Sequence, residues 1–286
     1  MTMPRTDLAL EAAEELNAAG RLAALRGGVS KWESLQGGCP VTCIRVRDRQ
    51  AARALGRPEG QYVTIDLRPV LERQEGLTRR AAPCLARQLQ GLLPPVRGGR
   101  FLVVGLGNRA MTPDAVGPLA LDHLLVTRHM VRSMPEQFGS FTPVAALRTG
   151  VLAQTGLETL ELIQAAAERV RPDAVIVIDA LAARSRHRLC ATVQLSDTGL
   201  TPGSGVGNHR RAVDRAALGV PVIAVGVPTV IDGGALGGED GPPTGLFVTP
   251  QDIDHRVREL GKLVGAGVTL ALQPQLTLED VNALTG

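Results

Sequence analysis

The chain has 286 residues, a formal net charge of +3 and 44% hydrophobic content, enough to bury a substantial core as one large domain or two small ones. No run approaches the roughly 18 to 20 apolar residues of a membrane span, and the amino-terminal stretch turns acidic in "EAAEEL" where a secretory signal is apolar, so a cytoplasmic chain with no membrane partner is expected. Aromatic residues make up only 2%, too few for base-stacking platforms, so no direct nucleic-acid partner is expected.

Read in chain order, "RTDLALEA" offers Thr6 as the cap of a helix from Asp7 through Leu16. The stretch 20–61 is rich in arginine and glycine and yields no assigned element. Continuous apolar runs then predict strands at 62–67, 101–105, 174–180, 191–195 and 220–227. Runs of this kind, rather than alternating ones, belong to strands covered on both faces, so the sheet is expected to be mostly parallel and flanked by helices in an α/β fold. One helix is predicted from a capping box of Thr155 and Glu158, another from Thr249 as cap with Pro250 at the first helical position. The segment 233–245 holds six glycines in thirteen residues and reads as a mobile loop. Cys39, Cys43, Cys84 and Cys190 show no metal-binding or disulfide spacing and read as reduced structural thiols.

Three places carry chemistry. The first is "FLVVGLGNRAMTPDAV", a strand leading into a glycine turn. Gly105, Gly107 and Ala110 satisfy the permissive dinucleotide fingerprint, but the helix starts late, with Thr112 as cap and Pro113 at its first position. Asp114 then puts negative charge where a pyrophosphate would lie, and the acidic residue expected about twenty positions further on is missing, since Asp122 falls in the helix. The second place is Asp179, which closes an apolar strand at its carboxyl end, where α/β folds place their sites. A first-turn carboxylate is favoured by the helix dipole alone, so Asp114 needs no function; but two carboxylates from one sheet edge can divide acid and base work. The third is "LSDTGLTPGSGVGNHR": the amides of Gly203, Ser204, Gly205 and Gly207 are candidates to bind a peptide or an oxyanion, and Ser204 lacks a nucleophile elbow because Pro202 stands at the first glycine position.

The stretches "VVGLGNRAMTPDAVGPLA", "VIDALAARS", "QLSDTGLTPGSGVGN", "LGVPVIAVGVPTVID" and "FVTPQDID", together with "RTDLALEA", resemble the germination protease family of endospore-forming bacteria. The resemblance runs from Arg5 to about Asp254. It implies an endopeptidase that cleaves small acid-soluble spore proteins, located in the spore cytoplasm, homotetrameric and made as a zymogen. It also implies an aspartic-type mechanism without cofactor or metal, with Asp114 and Asp179 as the catalytic pair. Substrates of the family are cut after an acidic residue and before a bulky apolar one, so residues 1–7 are expected to be a propeptide removed between Asp7 and Leu8, leaving 8–286 as the peptidase domain.

The fold implied is similar to that of hydrogenase-maturation peptidases, in which a glycine turn and a strand-end carboxylate hold a metal with a histidine. A metal-dependent peptidase using His209 is therefore the alternative, followed by a non-catalytic nucleotide- or peptide-binding module. Asp66, at the end of another predicted strand, is a third carboxylate near the sheet edge.

Overall fold

The computed structural model describes residues 6–25, 27–71, 76–206, 210–236 and 244–285. Its strands are β1 (Val29–Gln36), β2 (Cys39–Val46), β3 (Gly60–Asp66), β4 (Phe101–Leu106), β5 (Val144–Gly150), β6 (Ala174–Ala183), β7 (Thr192–Ser196), β8 (Val222–Asp232) and β9 (Phe247–Val248). They form one sheet in the order β1-β2-β3-β7-β8-β6-β4-β5, with β9 added to β8.

The four strands β8-β6-β4-β5 are parallel. The apolar runs predict three of these strands, β8, β6 and β4, but not β5, and both faces of the block are covered. Phe101, Val103, Ile176 and Ile178 share a core with the helices Leu77–Leu92 and Ile253–Leu272. The alternate residues Leu102, Val104, Val175 and Val177 pack on Leu160 and Ile163 of the helix Thr159–Val170. The expectation of a mostly parallel sheet holds for this block and needs correction beyond it: β7, β3, β2 and β1 extend the sheet as an antiparallel arm. In β1, the five residues Lys31 to Leu35 are exposed in a row and include a lysine and a glutamate, so no apolar run announces the strand.

The connections create a switch point. From β4 the chain goes to β5 on one side, then crosses back over β4 to β6 on the other. The carboxyl ends of β4 and β6 therefore flank a crevice, the place where open parallel sheets bind ligands.

Three predicted helix starts are displaced. The helix expected from Asp7 runs Ala9–Ala18, with Leu8 in extended backbone at its cap; Thr6 bonds the Leu8 amide at 3.0 Å and the buried Glu11 carboxylate instead of starting the helix. Thr155 ends a short turn, because Gly156 takes a left-handed φ of 71°, and the helix begins after Glu158, whose amide donates to Glu161 at 3.1 Å. Thr249 donates to the Thr229 carbonyl at 2.8 Å, tying β8, and the helix starts at Ile253 instead. All four cysteines are unpaired and buried, as structural thiols.

Candidate active site

Asp114 and Asp179 reach the same crevice from its two sides. Asp179 lies on β6, next in line to the buried Ile178, and is itself only 6% exposed. Asp114 closes the single 3-10 turn Thr112–Asp114, with Pro113 at its start, and the helix Val116–Ala120 follows. That helix is pressed onto the sheet. A Cβ on Gly117 would lie 2.3 Å from the Leu106 carbonyl oxygen and 2.7 Å from that of Ile178. Only glycine lets the helix sit this close across the ends of β4 and β6, and the approach carries Asp114 into the crevice.

The glycine turn has its own anion. The Asn108 backbone N–H donates to Asp114 Oδ2 at 2.7 Å, the kind of amide that would otherwise face a phosphate. Gly107 has φ 105°, and a Cβ there would lie 2.0 Å from the Asp114 carbonyl oxygen and 3.0 Å from Oδ1. The turn is thus wrapped around the aspartate. Asp122, which the dinucleotide pattern fails to place, bonds Arg148 at 2.5 Å and also Arg109.

Both carboxyls are held above their ordinary values. Burial raises Asp114, and the Asn108 amide partly opposes this. Asp179 is raised much further, first by burial, then by the charge of Asp114, then by that of Asp7, against a smaller opposing effect from the Ala180 amide. Two carboxylates that repel each other in a desolvated crevice share protons, with the more buried one keeping its proton longer.

The crevice opens into a cleft of about 560 Å³ lined by Asp7, Asp114, Asp179, Gly203, Gly205 and Thr229 among others. Gly203 and Gly205 thus lie where the glycine-rich stretch was expected to contribute. The Ser204 amide is committed to the Thr201 carbonyl at 3.2 Å, so of these residues the amides of Gly203 and Gly205 remain as oxyanion candidates. Gly207 and His209 lie outside the described residues, as do 1–5 and the central part of the glycine-rich loop, 237–243. The base of that loop is clasped by Asp232, which accepts from the amides of Gly234 and Thr244 at 2.9 and 2.8 Å. Asp66 does not line the cleft; Arg68 binds its carboxylate in a fork at 2.5 to 3.1 Å. Among the described residues, no three His, Cys, Asp or Glu side chains are grouped so as to hold a metal ion.

The sequence puts Asp7 and Leu8 in the first turn of a helix and, through the family resemblance, at a cut site, but not at the cleft. Asp7 lines the cleft, its N–H donating to the Ala182 carbonyl at 2.9 Å, and Leu8 is fully buried beside Ala183 and Ile231. Glu11 was missed altogether. It is 2% exposed and takes the amides of Arg184 and Ser185 at 2.8 and 2.9 Å, so it pins the first helix to the strand that carries Asp179. Its only signal in the sequence is an acidic residue on the apolar side of an amphipathic helix.

Residues 7–240 match the family model described as germination protease. This chain belongs to the germination protease family. A germination protease of Caldanaerobacter subterraneus subsp. tengcongensis is 38% identical, over 98% of this chain and 97% of its own length. One from Clostridium perfringens is 36% identical, over 97% of this chain and 98% of its own. Among solved structures, the [NiFe] hydrogenase maturation protease HycI of Thermococcus kodakarensis overlays 63% of this chain and 98% of its own, at 19% identity and a TM-score of 0.37, too loosely to transfer any residue's role. As a member of the germination protease family the chain is a peptidase. No helix among its described residues is long and apolar enough to cross a membrane.

Proposed function

We propose that this chain is an aspartic-type endopeptidase that begins the degradation of small acid-soluble spore proteins, and that it is made as a zymogen which removes its own residues 1–7. The observation that carries the reading is the meeting of Asp114 and Asp179 at the β4/β6 switch point, both desolvated and both shifted toward the protonated form. A crevice built only to hold the fold together has no reason to bring two carboxylates together without a cation, because the repulsion is a standing cost.

The roles follow from the surroundings of each group. Asp114, steadied by the Asn108 amide, is the more readily ionised and acts as the base. It takes a proton from water as the water oxygen bonds to the carbonyl carbon of the peptide. Asp179 gives its proton to the carbonyl oxygen in the same step. The tetrahedral intermediate then collapses: the C–N bond breaks, the proton on Asp114 passes to the departing amine, and Asp179 recovers its proton from the hydroxyl. Gly203 and Gly205 line the same cleft, and their amides are the candidates to hold the carbonyl oxygen as it takes the proton of Asp179. We further infer a spore-cytoplasmic location, a homotetrameric assembly and spore proteins as substrates, a reading supported by membership of the family.

The deciding experiment is incubation of the purified chain with a small acid-soluble spore protein, with and without a chelator. Chelator-insensitive cleavage supports the reading; no cleavage by folded, processed protein overturns it.

A further inference from the structure

The Asp7 side chain occupies a small site of its own. The Ala182 N–H donates to Asp7 Oδ2 at 2.9 Å, and the Ser204 hydroxyl donates to Oδ1 at 2.7 Å. Each carboxylate oxygen therefore has one donor. Gly205 makes the room, since a Cβ there would lie 2.1 Å from Oδ2 and 2.7 Å from the Ala182 side chain. Among the described residues no lysine or arginine pairs with this carboxylate; Arg57, nearby, donates to the Thr6 carbonyl instead. The site is three residues beyond Asp179 on the same strand and opens into the same cleft.

We propose that the Ser204 hydroxyl and the Ala182 amide, over Gly205, form the subsite that selects an acidic residue on the amino side of the bond to be cut, with Asp7 as its built-in occupant. The inference rests on the peptidase reading above and adds the specificity-determining group. One backbone bond, from the Asp7 N–H to the Ala182 carbonyl, holds the segment beside β6, and main-chain bonds of this kind align extended peptides while side-chain pockets select among them. Selection follows from donor chemistry. A carboxylate accepts from both groups in charge-assisted bonds, whereas an amide gives its one oxygen to the Ala182 N–H and its NH2 to the Ser204 oxygen, in neutral and weaker bonds. An apolar side chain leaves both donors unpaired. A glutamate has room too, because the space continues into an adjoining pocket of about 260 Å³ lined by Asp7, Arg57, Tyr62, Ser196 and Ser204. An acid bound here also serves the chemistry, since its charge is one of those that favour the protonated form of Asp179.

The test is a competition between two peptides identical except for Asp or Asn before the scissile bond, using chains first incubated at mildly acidic pH so that residues 1–7 are removed and the subsite is vacated. The ratio of their kcat/KM values does not depend on how much of the enzyme is active, so it reads specificity alone. The unsubstituted chain is expected to prefer the Asp peptide by about tenfold to a hundredfold, the value of a charge-assisted hydrogen bond. Ser204→Ala is expected to reduce that ratio to within a few-fold of one, and Ser204→Thr, which keeps the hydroxyl, to preserve it. An unsubstituted chain that cleaves both peptides equally overturns the inference, as does Ser204→Ala with an undiminished ratio. If Ser204→Ala cleaves neither peptide, the Thr variant decides: a kept preference supports the subsite and a lost one removes it. Failure of the processed, unsubstituted chain to cleave either peptide or a spore protein is a failure of the peptidase reading instead.

Discussion

The Asp114 carboxylate accepts a hydrogen bond from the backbone N–H of Asn108 at 2.7 Å, so the glycine turn after β4 binds an anion supplied by its own chain. Nucleotides should therefore show no affinity for this turn. Gly107 is the residue on which the arrangement depends, and Gly107→Ala should cost about 2 kcal/mol or more, from the left-handed φ and from the clash with the Asp114 carbonyl oxygen. A melting curve reads the first effect. Cleavage of a spore-protein substrate reads the second, since Asp114 must move to make room. A Gly107→Ala chain with undiminished activity would show that the turn does not position Asp114.

Asp114→Asn and Asp179→Asn should each lower cleavage by about a hundredfold or more, because the amide keeps the shape and removes the acid–base function. Neither should unfold the chain. Asp179→Asn replaces a buried, charge-repelled carboxyl with a neutral group of the same size, so its stability at neutral pH should equal or exceed that of the unsubstituted protein. Activity close to normal in either variant would remove that residue from the mechanism.

The pH dependence carries a definite sign. Asp179 binds its proton more tightly in the folded chain than in the unfolded one, so its contribution to stability is fully present below the ordinary aspartate range, near pH 4. That contribution is lost as pH rises through the raised folded value. Asp114 acts in the same direction. Asp232 acts in the opposite one: amide donors hold it down to about 2, so what it contributes is lost as pH falls toward that value, and its exposure keeps this small. Melting temperatures of the Asp179→Asn variant and the unsubstituted chain should therefore draw apart, in favour of the variant, as pH rises above about 4. Curves that stay parallel would mean that Asp179 is not shifted.

The parallel block was legible because burial on both faces writes itself as uninterrupted apolar runs, and β4, β6 and β8 lie where Phe101, Ala174 and Val222 begin such runs. Asp179 stood out for the same reason, as a charge closing an apolar strand, and Asp114 as a carboxylate where the glycine turn after β4 would otherwise meet a phosphate. In the antiparallel arm β3 and β7 were legible in the same way, from the runs at 62–67 and 191–195, but β1 and β2 were not. β1 pairs along its whole length with β2, yet its side chains are mostly exposed, so backbone hydrogen bonds rather than apolar pattern define it. Helix starts failed where a threonine had a better partner in space, as Thr249 has in the Thr229 carbonyl 20 residues away. The place of Asp7 was illegible because its partners, Ala182 and Ser204, are distant in the chain and one of them offers only backbone.

Metal chelation should have little effect on cleavage, and His209→Ala should retain activity. The two strand-end stretches supply one carboxylate each, and among the described residues no third ligand is grouped with them. Elemental analysis of the purified chain gives the direct check. Stoichiometric zinc whose removal abolishes cleavage, or collapse of the His209→Ala variant, would favour the metal-dependent alternative.

Self-processing should yield a chain beginning at Leu8 and lacking seven residues. The Asp7–Leu8 bond lies just ahead of the first helix, and Leu8 has φ −92° and ψ 117°, the extended backbone a peptidase requires. The segment is not a frayed end offering itself by mobility. It is anchored on both sides of the bond, by the Ala182 contacts of Asp7 and by the Glu11 clasp on Arg184 and Ser185. Anchoring of this kind presents one bond to the crevice and no other, so the new terminus should be unique. Mild acid should favour the reaction, because the pair must share a proton to work and Asp179 keeps its proton more fully as pH falls. Intact mass and N-terminal sequencing after incubation at mildly acidic pH measure the outcome. Glu11→Gln weakens the clasp without touching the cleft, so it should slow processing while leaving the position of the cut unchanged. A terminus at any residue other than Leu8, or a full-length chain already fully active on spore protein, would sink the claim of self-cleavage here.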